Sequence, residues 1–291
     1  MHNFDKTIAA LSDISDSALH HYGIEGVPFP SVVELEDIVE LCRSVLFPGY
    51  FGKLVLNGAL HYHVGVSVER LYDKLVKQVM AGLAFTQGEE FVEQEVARDA
   101  ARRRTTAFIE KLPELRELLA TDVVAMYRND PAVTNLGEII LCYPGMRAIT
   151  NYRIAHALER LDVPLIPRMI TELAHSQTGI DIHPAATIGH SFAIDHGTGV
   201  VIGATAILGH NVTLYQGVTL GAKNFPQEED GSLVKGIARH PILGNNVVVY
   251  ANATILGRIT IGDDSTIGGN LWITHDVPAG TKLFYKQPKC D

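Results

Sequence analysis

From Ile182 to Ile273, aliphatic residues recur at every sixth position. Ile182, Ile188 and Ile194 form one run in step. Ile202, Leu208, Leu214 and Leu220 form a second, and Leu243, Val249, Ile255, Ile261, Ile267 and Ile273 a third. Four positions after most of these comes a small or branched residue: Ala186, Ala206, Val212, Val218, Val247, Ala253 or Ser265. A period of six fits neither a helix, which repeats every ~3.6 residues, nor a two-faced strand alone. It fits a solenoid in which each unit is one short parallel strand and a turn, with three units closing a triangular coil of about eighteen residues. Stacking the coils buries the aliphatic columns as one continuous core. Gly189, Gly203, Gly209, Gly262 and Gly268 take the second position of their units, where a side chain would crowd a corner or φ would turn positive.

Upstream, to about residue 125, the pattern is helical. Ser31-Val-Val-Glu34 is a capping box that opens a helix with Leu35, Ile38, Cys42 and Val45 on one side, and Pro48-Gly49 stops it. Leu71, Leu75, Val79 and Leu83 mark an amphipathic helix over 66–85. A third runs from about Glu89 to Leu112, and Pro113 can open the next at its first position. Asp130 precedes Pro131, which pushes it out of the α region and ends a helix there. Pro144-Gly145 breaks the chain again. Ile149, Tyr152, Ala155 and Leu158 then share one side of a further helix, and a short helix near Ile166 to His175 leads into the solenoid. The fold class predicted is α+β: an α-helical domain over 1–176, a parallel β-helix over 177–276 and a short tail over 277–291. Residues 222–238 lack the six-step pattern and are rich in Gly, Pro and acids. They must loop out, and a loop this long in a compact fold is usually functional.

Composition excludes several classes. The 291 residues are 46% hydrophobic and 20% charged, with net charge −9 and no basic block, which makes nucleic acid or an anionic membrane a poor partner. Arg102-Arg103-Arg104, in a helical stretch after Glu95 and Asp99, reads as a solvated face. Cys42, Cys142 and Cys290 are scattered without a C-x-x-C, as expected in a reducing compartment. The N-terminus lacks a charged-then-apolar leader and no apolar run approaches the ~18 residues of a membrane span, so a cytoplasmic location is expected. His61 and His63, two apart as on one strand face, lack a Cys or acid at ligand spacing and are read as structural.

Five motifs carry candidate chemistry: Arg128-Asn-Asp-Pro-Ala132, Asp181-Ile-His-Pro-Ala-Ala186, Asp195-His196-Gly-Thr-Gly199, Gln216-Gly-Val-Thr-Leu-Gly221 and Arg239-His240-Pro241. A histidine near neutral pKa suits a general base. His196 is followed by a Gly-Thr-Gly that shifts the hexad phase by two, and Asp181 lies fifteen residues earlier, close to one coil. On residues alone, Asp130 could simply cap the next segment and Arg239 could be a surface charge. The motifs and their order, over roughly 115–275, resemble the serine O-acetyltransferases among the hexapeptide-repeat, left-handed parallel β-helix acyltransferases.

That resemblance implies a left-handed helix and transfer of acetyl from acetyl-CoA to the L-serine hydroxyl, giving O-acetylserine for cysteine biosynthesis. It pairs His196 with Asp181 as a base dyad. It gives Asp130 and Asp195 to the serine ammonium, Arg239 to the carboxylate by a bidentate pair, and His240 to substrate or the oxyanion. Gly221, Ala222 and Ala251 match positions where acetyl-CoA meets the backbone, with Ala222 replacing a common glycine. No cysteine lies among the motifs, so direct attack in a ternary complex is expected, without a metal. The resemblance further implies a homo-oligomer, a trimer or a dimer of trimers, because each groove lies between neighbouring β-helices. Feedback inhibition by L-cysteine is expected. The chain ends Lys-Cys-Asp291 and not in the isoleucine tail many members use, so no stable complex with O-acetylserine sulfhydrylase is expected; a C-terminus-dependent pull-down would contradict this. Rival readings are another hexapeptide acetyltransferase with a homoserine or sugar acceptor, a β-helix carbonic anhydrase using three of His183, His190, His196 and His210, and a non-catalytic scaffold.

Overall fold

The computed structural model describes residues 4–13, 26–52, 58–87, 94–224 and 226–285. Among these, eight helices precede the first strand: α1 (Asp5–Ser12), α2 (Val32–Leu46), α3 (Leu60–Gln87), α4 (Gln94–Glu110), α5 (Leu112–Asn129), α6 (Leu136–Cys142), α7 (Pro144–Glu159) and α8 (Ile166–Thr178). Local chemistry sets their ends. Ser31 Oγ accepts the Glu34 N–H at 3.3 Å to cap α2, which buries Leu35, Ile38, Cys42 and Val45. Pro113 sits in the first turn of α5, and Asp130 ends that helix in extended geometry (φ −113, ψ 108). Pro144 begins α7 as well as interrupting the chain. The short helices α1 and α6 have too few turns to show a periodic stripe. His61 and His63 lie on α3, not on a strand, and residues two apart on a helix do not share a face. Arg102 and Arg103 are exposed, whereas Arg104 Nε donates to the Leu161 carbonyl at 3.0 Å and ties α4 to the α7–α8 turn.

The hexads become strands of three parallel sheets. Sheet 1 holds β1 (Asp181–Ile182), β4 (Val201–Ile202), β7 (Thr219–Gly221), β10 (Thr254–Leu256) and β13 (Trp272–Ile273). Sheet 2 holds β2 (Thr187–Ile188), β5 (Ile207–Leu208), β8 (Ile242–Leu243) and β11 (Thr260–Ile261). Sheet 3 holds β3 (Ala193–Asp195), β6 (Thr213–Tyr215), β9 (Val248–Val249), β12 (Thr266–Ile267) and β14 (Lys282–Leu283). The register aligns the aliphatic positions as columns, such as Ile182, Ile202, Leu220, Ile255 and Ile273 in sheet 1, and these residues are buried. β14 adds a rung within 277–291, through its pairing with β12; residues from 286 onward, Cys290 included, lie outside the described residues.

The second-position glycines Gly189, Gly203, Gly209, Gly262 and Gly268 serve close approach and not a positive φ. A Cβ on Gly189 would meet Gly209 and His210, and one on Gly262 would meet the Ala279 backbone. Positive φ falls instead on polar residues: Ser191, His196, Asn211, Asn246, Asn252, Asp264 and Asn270. Asn and Asp tolerate this region best, and their side chains form a ladder, Asn211 to Asn246 and Asn246 to Asp264, both at 2.9 Å. The 222–238 segment leaves the solenoid after β7 and is largely exposed, with an antiparallel bridge between Gln227 and Leu233.

A buried ion pair fixes the helices to the first coil. Arg153 on α7 donates to Asp122 on α5 at 3.0 and 3.1 Å and to the carbonyls of Ile188 and Gly189 at 2.7 and 2.6 Å. Asp122 accepts the Phe192 N–H at 2.8 Å. The Tyr152 hydroxyl adds a bond to Ala186 O at 2.7 Å. With α5 and α7 pinned this way, the C-terminus of α5 and the N-terminus of α7 reach β3.

Candidate active site

The predicted site residues fall at two different corners of the triangular prism. The first lies between sheets 3 and 1. Asp195 closes β3 and His196 turns the corner at φ 57, followed by Gly197 at φ 86 and Gly199 at φ 81. The two extra residues between Ile194 and Ile202 make the predicted distortion, and Gly197 is required because a Cβ there would lie 2.5 Å from Ile180. The distortion pushes the His196 side chain outward to 72% exposure, with Nε2 3.9 Å from Asp195 Oδ1, so the imidazole is open to a reactant. Asp130, capping α5, reaches the same corner. Its Oδ1 accepts the Ala132 N–H at 2.8 Å and its Oδ2 the Tyr143 hydroxyl at 2.5 Å. The Tyr143 bond, then the Ala132 bond, hold the Asp130 carboxyl below the usual carboxylate range. Met126, Asn129, Asp130, Tyr143, Ala193, Ile194 and Asp195 line a small cavity here. Gln216 follows Tyr215, the register partner of Asp195, and keeps a buried Oε1 without a hydrogen-bond partner.

The second corner lies between sheets 1 and 2, where the long loop returns. Thr205 organises it: its hydroxyl oxygen accepts the backbone N–H groups of Arg239 and His240 at 2.9 and 3.1 Å. Its own N–H donates to His240 Nδ1 at 3.0 Å. A backbone N–H can only donate, so Nδ1 carries the lone pair and the neutral ring holds its proton on Nε2. Burial, and then the charge of Arg239, push the His240 pKa down to about 4. His240 is therefore neutral near pH 7 and is a donor rather than a base. The ring lies where a Gly203 side chain would stand. Arg258 Nη1 clamps the corner, donating to Thr205 O at 2.6 Å and His240 O at 3.0 Å.

Asp181 lies on sheet 1 beneath α8, in register with Val201. Its Oδ1 is 3.4 Å from Arg168 Nη1. Among the described residues no hydrogen bond joins it to His196, although the Gly199 N–H to Gly179 O bond at 2.8 Å stacks the chain leaving His196 on the chain entering Asp181. Glu172, His175 and Asp181 each offer a ligand atom within 4.8 Å of the others, but Arg168 pairs with both acids and already supplies the positive charge. The histidines of a three-histidine metal reading are dispersed: His190 stacks on His210 at 3.9 Å between sheets 2 and 3, whereas His183 and His196 occupy the other two corners. Gly221 and Ala222 lie where β7 gives way to the loop, at the second corner, and Ala251 at the first. One chain thus gives Asp130, Asp195, His196 and Ala251 to one corner and Arg239, His240, Gly221 and Ala222 to another.

Sequence reasoning missed Tyr143, Thr205, Arg168 and Arg258. Their roles come from contacts 13 or more residues away, which no local pattern encodes. Tyr143 had the nearest signal, since it directly precedes the Pro144 that starts α7.

A family model described as serine acetyltransferase, N-terminal, matches residues 71–151, and one for the bacterial transferase hexapeptide (six repeats) matches 240–275. The chain is 47% identical over 293 residues to the curated "Serine acetyltransferase, plasmid" of Synechococcus elongatus, covering 99% of this chain and 92% of that one. The crystal structure of Entamoeba histolytica serine acetyltransferase 1 in complex with L-cysteine matches with a TM-score of 0.75 at 34% identity, over 96% of this chain and 94% of that one. That of Neisseria gonorrhoeae serine acetyltransferase in complex with serine matches with a TM-score of 0.56 at 25% identity, over 87% and 97%. With a relative so similar across nearly its whole length, the chain belongs to the serine acetyltransferase family.

Proposed function

We propose that this protein transfers acetyl from acetyl-CoA to the hydroxyl of L-serine by direct attack, yielding O-acetylserine and free CoA. The observation that carries the reading is the first corner. Asp130 and Asp195 flank the exposed His196, putting negative charge for an ammonium group beside a base for a hydroxyl proton. His196 takes the proton from the serine oxygen as that oxygen bonds to the thioester carbon. The resulting imidazolium returns the proton to the departing thiolate sulfur as the carbon–sulfur bond breaks. Asp181 is the carboxylate proposed to support the imidazolium. Its contact with half-exposed Arg168 is long, and a pair of this kind restrains it by only about 0–1 kcal/mol. His240, with its proton on Nε2, is suited to hold the carbonyl oxygen as negative charge develops there, while Arg239 takes the serine carboxylate.

The split between corners supports a shared site. Two corners of one prism cannot meet, but side-by-side packing brings the His196 corner of one copy against the Arg239–His240 corner of the next, and cyclic closure makes a trimer. The cleft between copies is the proposed path for acetyl-CoA past Gly221, Ala222 and Ala251. The L-cysteine complex of the Entamoeba relative supports feedback inhibition, since cysteine offers the same ammonium and carboxylate. No helix of the described residues is long and apolar enough to cross a membrane.

The test is CoA thiol release with L-serine, L-homoserine or no acceptor, on wild type and His196→Ala. Serine-dependent release that falls by about a hundredfold or more in the variant, the scale of losing a general base, is expected. No serine-dependent release would overturn the activity; release that survives the substitution would overturn the assigned base.

A further inference from the structure

We propose that Tyr143 is a positioning residue of the acceptor pocket, fixing the Asp130 carboxylate in the orientation that receives the substrate ammonium. This rests on the reading of Asp130 as an ammonium ligand.

Three observations carry it. First, both carboxylate oxygens of Asp130 are claimed: Oδ2 by the Tyr143 hydroxyl at 2.5 Å and Oδ1 by the Ala132 N–H at 2.8 Å. A carboxylate held at both oxygens on an otherwise open surface has no rotational freedom at χ2, yet each oxygen keeps a lone pair for a further donor. Second, the phenol is itself placed by the backbone. Tyr143 is the N-cap residue of α7 and precedes Pro144, and at Gly145 the helix lies so close to β3 that a Cβ would collide with the Ile194 carbonyl. The ring is thereby fixed at the Asp195–His196 corner by elements that leave it little freedom. Third, the direction of the bond is unambiguous. Burial, and then the adjacent Asp130, push the Tyr143 phenol above its ordinary range, so it stays protonated and donates.

The charged and titratable groups around Asp130 show why such a device is useful. Asp195 and His196 face it from β3 and the following turn, Tyr215 from β6, and Tyr143 from the start of α7; the charge of Glu138 on α6 also acts on Tyr143. Two carboxylates at one corner favour protonation of one of them. A phenol donating to Asp130 opposes that at Asp130 and favours its ionised form, as binding of an ammonium requires. Tyr143 thus acts through Asp130 and does not touch the reacting atoms.

The experiment is steady-state kinetics on Tyr143→Phe, Asp130→Asn and the double variant, each first shown by its melting curve to fold, with a pH profile of kcat/KM for serine. Tyr143→Phe removes one hydrogen bond to a charged group and is expected to raise the serine KM about tenfold, leaving the acetyl-CoA KM unchanged. It also moves the acid limb of the profile to higher pH. On the Asp130→Asn background, the same substitution should have little further effect, because its partner is already gone. An unchanged serine KM and acid limb in a folded Tyr143→Phe, or a loss that multiplies in full on Asp130→Asn, would overturn the inference. If wild type shows no serine-dependent release, the functional reading fails with it. If Asp130→Asn weakens serine but Tyr143→Phe does not, only the positioning role fails.

Discussion

His196 and His240 are chemically identical side chains that the fold makes different. His196 stands out at a glycine-framed corner with its side chain 72% exposed. His240 is enclosed, with Nδ1 committed to the Thr205 N–H and its pKa pushed down to about 4. His240 can take a proton on Nδ1 only by losing the bond from the Thr205 N–H. The enclosure has a stability consequence whose sign is fixed by linkage. Between about pH 4 and the ordinary histidine value near 6.5, the unfolded chain binds a proton at residue 240 that the folded chain refuses. Stability therefore rises with pH across this window and is lost as pH falls through it. Burial lowers His156 and His183 in the same direction. The melting temperature should drop from pH 7.5 to pH 5, and the drop should be smaller in His240→Asn. An equal drop in that variant would show that His240 does not titrate as described.

At the scale of elements, the six-residue unit is the most legible feature, because burial of one column demands the same residue class at every rung. The aliphatic columns of all three sheets appear in the chain as plain periodicity. The Ser31 cap of α2 and the Asp130 helix end were equally legible, being local chemistry, although the second half of the expected capping box does not form: the Ser31 N–H donates to Gln78 Oε1 at 2.8 Å and Glu34 pairs with Lys74. What the pattern could not show is how the helices dock. Asp122 and Arg153 are 31 residues apart on separate helices. Asp122 interrupts the Leu119–Met126 stripe of α5 and Arg153 lies on a helix buried nearly all round, but nothing local names either one's partner. Yet they join α5, α7 and the first coil, and so place Asp130 at the first corner. Removing one partner leaves a buried charge without its counter-ion, so Arg153→Met should cost about 3–5 kcal/mol in denaturant unfolding. Replacing both residues with apolar ones of similar volume should cost much less, since the penalty lies in the uncompensated charge. A near-zero cost for Arg153→Met would mean the pair is not the anchor of the seam. The distribution of the motif residues over two corners was not legible: position in a hexad reveals the corner only once the coils are threaded in three dimensions.

For the whole molecule, the central claim is that one chain carries two halves of a site and a neighbouring copy completes it. On the proposed reading the His196 half needs a carboxylate clamp and an oxyanion donor, and the Arg239–His240 half needs a base. The direct measurement is complementation. His196→Ala and Arg239→Ala, each nearly inactive alone, are mixed, unfolded and refolded together, and serine-dependent CoA release is recorded. If sites form between copies, random mixed trimers each contain one interface with both halves intact, and the mixture should recover about a quarter of the wild-type rate. A mixture that stays at the level of its two components would show that a single chain holds its own complete site, contradicting the shared-corner account.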